Sequence, residues 1–155
     1  MIALNVNCKP KNVHAAHACI EDWDFTNEKK FLIEREGFEP NVVEEMSLEY
    51  KRFMALCATH ATNSEPLPIS TEVDPFWHTH LLFSESYVKM SKVLGSNYLH
   101  HQPASGDELI ALEPGYRRTL SLYEQNFGKP NEKYWPEFSQ ICGGSACACS
   151  GTGNE

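Results

Sequence analysis

A chain of 155 residues, 41% hydrophobic and 22% charged, has the size and balance of one soluble domain with a single core. Its formal net charge of −8, with no basic patch or basic–aromatic stripe, opposes binding to DNA, RNA or anionic lipid, where the attraction depends on Lys and Arg. No apolar run reaches membrane-spanning length, and residues 1–6 lack the positive region of a signal peptide, so a cytoplasmic setting with reduced thiols is expected for the six cysteines.

Residues 1–24 are expected to form an irregular N-terminal arm. Ile2, Leu4 and Val6 alternate as in a strand but have no evident partner. His14 and His17 have the spacing of helix neighbours, yet chain ends fray, and an exposed pair is expected. A first helix is predicted from Thr26 or Asn27 to Glu36, with Thr26 as N-cap, Phe31 and Leu32 facing inward and Gly37 as the stop. The next helix opens with Pro40 in its first turn and ends near Thr59 or His60. Val42, Val43, Met46, Tyr50, Phe53, Met54 and Cys57 form its apolar stripe. Cys57 and His60 have the spacing of a thiol–imidazole pair, but a cysteine on such a stripe fills core. Pro66 and Pro68 stiffen the connector that follows.

Asp74 and Pro75 then signal a helix start, Asp74 as cap and Pro75 where its missing N–H costs nothing. This helix is predicted to run to Leu94 and stop at Gly95, with Ser84 able to cap a second segment. Residues 96–106 read as a loop holding His100 and His101. A short helix over 107–112 precedes a last long one, opened by Pro114, faced by Leu120, Tyr123 and Phe127, and closed by Gly128. Tyr134, Trp135 and Phe138, set among prolines, suggest an extended arm across the helices. Residues 141–155 are a Cys/Gly/Ser-rich tail, expected to be flexible. The fold class expected is therefore all-α: one small helical bundle over residues 25–140, between an arm and a tail.

Helix geometry decides which side chains in the 73–83 stretch can cooperate. Positions two apart point about 200° apart, so His78 and His80 cannot share one ion. Asp74 and His78, four apart, share a face. His80 falls among Phe76, Trp77, Phe83 and Tyr87 and is expected to be packed and hydrogen-bonded. The candidate metal set is thus Asp74 and His78 with His100 or His101. Imidazole plus carboxylate suits zinc or iron, and three such ligands leave a position for water. The competing reading has Asp74 capping the helix, Trp77 in the core and the histidines in buried hydrogen bonds, with a metal-free acid–base pocket as a third. Cys142, Cys147 and Cys149 offer an alternative, thiolate metal site in the tail, though without C-x2-C spacing or a fourth protein ligand. If no metal binds, an interaction module is the rival, presenting Tyr134, Trp135 and Phe138 to a protein partner. No nucleophile elbow, phosphate loop or dinucleotide fingerprint occurs, so neither a known catalytic route nor a nucleotide cofactor is expected.

Asp74, Trp77-His78, His80, Tyr87 and Leu99-His100-His101-Gln102-Pro103 form a pattern. Upstream stand Glu34-Arg35-Glu36-Gly37-Phe38 and Glu49-Tyr50-Lys51-Arg52-Phe53, and downstream Leu122-Tyr123 and Phe127-Gly128. On these residues the chain resembles the glycine-rich domain-containing protein-like family of plants and bacteria, over residues 24–128. The resemblance implies a small helical domain and no established reaction. Plant members carry further domains, and many members end in a Gly- and Cys-rich tail, of which Cys142-Gly143-Gly144 looks like a shortened version.

Overall fold

The computed structural model describes residues 10–104, 107–138 and 146–151. It is mostly helical: α1 (Val13–Ile20), α2 (Thr26–Glu34), α3 (Pro40–His60), α4 (Asp74–Leu82), α5 (Ser84–Val93), α6 (Asp107–Ala111) and α7 (Glu113–Phe127). Among them sits a small antiparallel sheet of β1 (Leu67–Pro68), β2 (His101–Ala104) and β3 (Ala146–Cys149), in the order β1-β3-β2. The purely all-α expectation is therefore corrected. Among the described residues, no helix is long and apolar enough to cross a membrane.

Helix α3 is the axis of the fold. Of its predicted stripe, Val43, Met46, Tyr50, Phe53, Met54 and Cys57 are buried, as the period of 3.6 requires, and Val42 is half-buried at the edge. Helix α1 lies where the sequence suggested an irregular arm. Asn12 caps it, its side chain accepting from the Ala15 amide at 2.9 Å. Val13, Ala16 and Ile20 are buried on its inner side. His14 and His17 meet the ring of Phe127 from α7 edge-on, at 6.0 and 5.4 Å. Residues Ile2, Leu4 and Val6 lie outside the described residues.

Helix α2 begins at Thr26, but Asp24 does the capping. Its Oδ1 accepts from the Thr26 amide at 3.0 Å and from the Thr26 hydroxyl at 2.6 Å. The helix predicted over 74–94 is two, broken at Phe83 and stopped at Gly95, whose φ of 83° a side chain would strain. After α7, residues 129–138 do cover the helices. Tyr134 and Trp135 are buried, and Phe138 packs against the core. Glu49 holds this arm: its Oε2 accepts from Trp135 Nε1 at 2.8 Å and from the Tyr123 hydroxyl at 2.6 Å. The aromatic surface that the interaction-module reading requires is thus turned inward.

The tail, expected to be flexible, supplies the centre of the sheet. Both flanking strands contain a proline, Pro68 and Pro103, and both are edges, where a missing N–H is tolerated. The proline-free segment 146–149 takes the middle. Its Cys147, Ala148 and Cys149 are buried. Cysteine behaves there as a small apolar residue, which a composition-based view of a Gly/Ser-rich tail passes over. Gly151 lets the chain leave: its φ is 84°, and a Cβ there would sit 2.5 Å from the Ala61 carbonyl oxygen.

Candidate metal centre

The start of α4 leaves Asp74 free for chemistry. Ser70 takes over the capping. Its carbonyl accepts from the Asp74 amide at 3.0 Å, and its hydroxyl accepts from the Val73 amide at 3.3 Å. Asp74 is the first helical residue and makes no side-chain cap bond, correcting the expectation that it caps the helix. Pro75 has no N–H to claim it. The buried carboxylate turns instead along its own helix and toward β2.

One turn on, His78 places Nε2 3.2 Å from Asp74 Oδ2. His101, the first residue of β2, places its Nε2 3.2 Å from Asp74 Oδ1. Cys147 of β3 brings Sγ to 3.5 Å from His78 Nε2. The ligand atoms of these four side chains all lie within 4.8 Å of one another. A scaffold beneath them holds β2 against α4. Trp77 Nε1 donates to the Tyr87 hydroxyl at 3.1 Å, and that hydroxyl donates to the Leu99 carbonyl. The His101 ring meets Trp77 edge-on at 4.3 Å and His78 at 4.7 Å. Pairing of Pro103 with Cys147 and of His101 with Cys149 sets the thiol beside the imidazoles.

The donors are close enough together to hold one ion. With metal–nitrogen and metal–oxygen bonds of about 2.05 Å and a metal–sulfur bond of about 2.3 Å, the edges of the tetrahedron are about 3.3 Å between N and O and about 3.6 Å between N and S. The three contacts seen are 3.2 Å, 3.2 Å and 3.5 Å, the two from nitrogen running to different oxygens of Asp74, and the four donors as a set lie within 4.8 Å of one another. Burial, and then the Asp74 carboxylate, push the Cys147 thiol well above its ordinary range, so without a cation it keeps its proton. A metal dication would offset both effects and take the proton's place. Asp74 and His101 have side-chain exposures of only 7% and 11%, whereas His78 is at 50%, so the centre opens to solvent on the His78 side.

Of the two later histidines, the structure brings in His101 and not His100. His100 is exposed and meets the Tyr98 ring edge-on at 5.1 Å, while its backbone bonds to Ser150 and Gly151. His80 is packed as expected, between the Tyr50 hydroxyl at 2.7 Å and the Ser86 hydroxyl at 3.0 Å, and burial lowers its pKa to about 3. The two tail cysteines among the described residues go to different places. Cys147 joins the histidines, Cys149 lies against the Cys57 thiol in the core, and Cys142 lies outside the described residues. Cys57 therefore meets a thiol and not His60. Of the tail cysteines, Cys147, 69 positions from His78, lies with the aspartate and the histidines.

Comparison with protein-family models gave no match, and neither the curated proteins nor the solved structures gave one.

Proposed function

We propose that the protein is a metal-binding domain whose ion, zinc by preference, is held by Asp74, His78, His101 and Cys147. The observation that carries this reading is the convergence of four donors from α4, β2 and β3 within 4.8 Å of one another. Two imidazoles, a carboxylate and a thiolate suit zinc, which has no geometric demand beyond the tetrahedron and accepts N, O and S ligands together. Four protein ligands fill that tetrahedron, which is the closed arrangement of structural zinc and not the three-ligand arrangement of catalytic sites. The ion then acts as a clamp between the start of α4 and the strand formed by the tail. A hydrogen-bonded cluster without metal accounts for the two His–Asp contacts and for the thiol's contact with His78; the drawing together of four donor side chains from three separate elements is what favours the ion.

The residues of the family resemblance support the same reading. Asp74, His78 and His101 are ligands, while Trp77, Tyr87 and Leu99 build the scaffold that positions them. We propose membership in the glycine-rich domain-containing protein-like family on that ground, and a reducing, cytoplasmic compartment, which keeps Cys147 a free thiol able to ligate a metal. The net charge of −8 argues against nucleic acid or an anionic membrane as partner.

The test is elemental analysis of untagged protein, purified without chelator, for the wild type and for His78→Ala, His101→Ala, Cys147→Ser and His100→Ala. One equivalent of zinc is expected in the wild type and in His100→Ala, with less in the other three. Iron in place of zinc would keep the site and change the ion. Absence of metal from the wild type after incubation with zinc would overturn the proposal.

A further inference from the structure

A groove of about 230 Å³ lies between the end of α2 and one face of α4, bordered by Phe31, Glu36, Phe38, Pro75, His78 and Leu82. It shares His78 with the metal centre but takes nothing from the ion, and the inference stands without it. Its volume falls below the roughly 300–1,000 Å³ of small-molecule sites. It suits a single large side chain presented by a peptide.

The floor of the groove is apolar. Phe31 and Phe38 are half-buried, and Leu82 is 68% exposed, more than any other large hydrophobic side chain among the described residues. Single exposed apolar residues are ordinary on a protein surface. This one stands beside two phenylalanine rings and a proline in one concave surface.

The rim is negative. Glu34 and Glu36 are exposed at and just past the C-terminal end of α2, where the helix dipole is itself negative and the last turn holds no basic residue. Lysine or arginine is the favoured occupant of such a position. Neither carboxylate forms an ion pair among the described residues, and neither does Lys30 of the same helix. The Arg35 guanidinium lies over the Phe31 ring, 5.6 Å from its centroid. Glu39, nearby in the chain, is answered by the positive N-terminal end of α3.

The rim lacks a cation, and the floor lacks an apolar side chain. We propose that this groove docks a basic, aromatic peptide segment of a protein partner. One phenylalanine-like ring sits against Phe31, Phe38 and Leu82, and flanking arginine or lysine residues face Glu34 and Glu36. Ring-on-ring contact favours an aromatic anchor over an aliphatic one. The anchor supplies most of the affinity, while the charges set orientation and speed of encounter. The protein's net charge of −8 attracts such a segment from a distance.

The backbone amides of Gly37 and Leu82 report on the groove. The buried indoles of Trp77 and Trp135, bonded to Tyr87 and Glu49, are references in the same spectrum. 15N-labelled protein titrated with acetyl-Arg-Phe-Arg-amide should show saturable shifts of the Gly37 and Leu82 amides, with a Kd of about 1 mM, while the references stay fixed. Binding should weaken about tenfold with acetyl-Arg-Ala-Arg-amide, which lacks the ring, and with acetyl-Glu-Phe-Glu-amide, which reverses the charge. Leu82→Ser and Glu36→Gln, both at exposed positions, should each weaken it about threefold with the references unmoved. No saturable shift, shifts that spare Gly37 and Leu82, either control peptide binding as tightly as the first, or undiminished binding by Leu82→Ser would each overturn the proposal. Movement of the Gly37 and Leu82 amides with protein concentration alone would give the groove to a second copy of the chain. Phenethylamine binding as tightly as the peptide would give it to a small amine. Either result also overturns the peptide reading.

Discussion

The buried state of His80 makes a quantitative prediction about acid stability. The imidazole is 0% exposed, and burial lowers its pKa from 6.5 to about 3. In the unfolded chain it takes up a proton as pH falls through about 6.5, whereas in the folded protein it stays neutral until about 3. The unfolded state binds more protons across that window, so stability is lost as pH falls. At pH 5 the unfolded histidine is about 97% protonated and the folded one about 1%, which costs about 2 kcal/mol relative to pH 7.5. Other groups titrate in the same range, so a paired comparison isolates the effect. His80→Gln keeps an acceptor for Tyr50 and a donor for Ser86 but cannot ionise. Urea unfolding in chelator at the two pH values gives the stability gap between wild type and variant. Whatever the gap at pH 7.5, it should narrow by about 2 kcal/mol at pH 5 in favour of the variant. A gap unchanged between the two pH values would refute the assignment of His80 as a buried neutral group.

Three further outcomes follow from the packing. Trp135→Ala should lower stability by about 3–5 kcal/mol, measured by urea unfolding, because it empties a buried ring site and removes a donor from Glu49. An effect under about 1 kcal/mol would place the arm on the surface. Gly151→Ala should undock the tail strand, since the added Cβ meets the Ala61 carbonyl at 2.5 Å at a φ of 84°. Its signature is weakened zinc binding by calorimetry with helical circular dichroism intact. Zinc should also slow exchange of the Ile69 amide, which donates to the Cys147 carbonyl, and of the Ser150 amide, which donates to His100. Equal exchange rates with zinc and with chelator would mean that the ion does not hold the strand.

The long helices can be read from sequence because their signals are local. The 3.6-residue stripe of α3 and the proline starts of α3, α4 and α7 appear in the structure as expected. So does the burial of His80, which follows from its face on α4. What sequence leaves open depends on distant pairing. Asp74 looks like a cap until Ser70 is seen to do that work. His100 and His101 are indistinguishable in a presumed loop. In a strand, neighbours point to opposite faces, and only His101 is turned to α4. The tail strand is the least visible element. Its partners lie about Leu67 and His101, far back in the chain, and nothing local in Ala146-Cys147-Ala148-Cys149 names them. For the same reason Cys147 reads from sequence as part of a separate tail site, apart from Asp74, His78 and His101.

The ligand set itself is most directly tested by X-ray absorption at the zinc edge of protein loaded with one equivalent of zinc. The account predicts a first shell of one sulfur at about 2.3 Å and three nitrogen or oxygen scatterers at about 2.0–2.1 Å, with imidazole signatures from two histidines and loss of the sulfur in Cys147→Ser. A shell without sulfur in the wild type, or zinc that stays in solution, would contradict it.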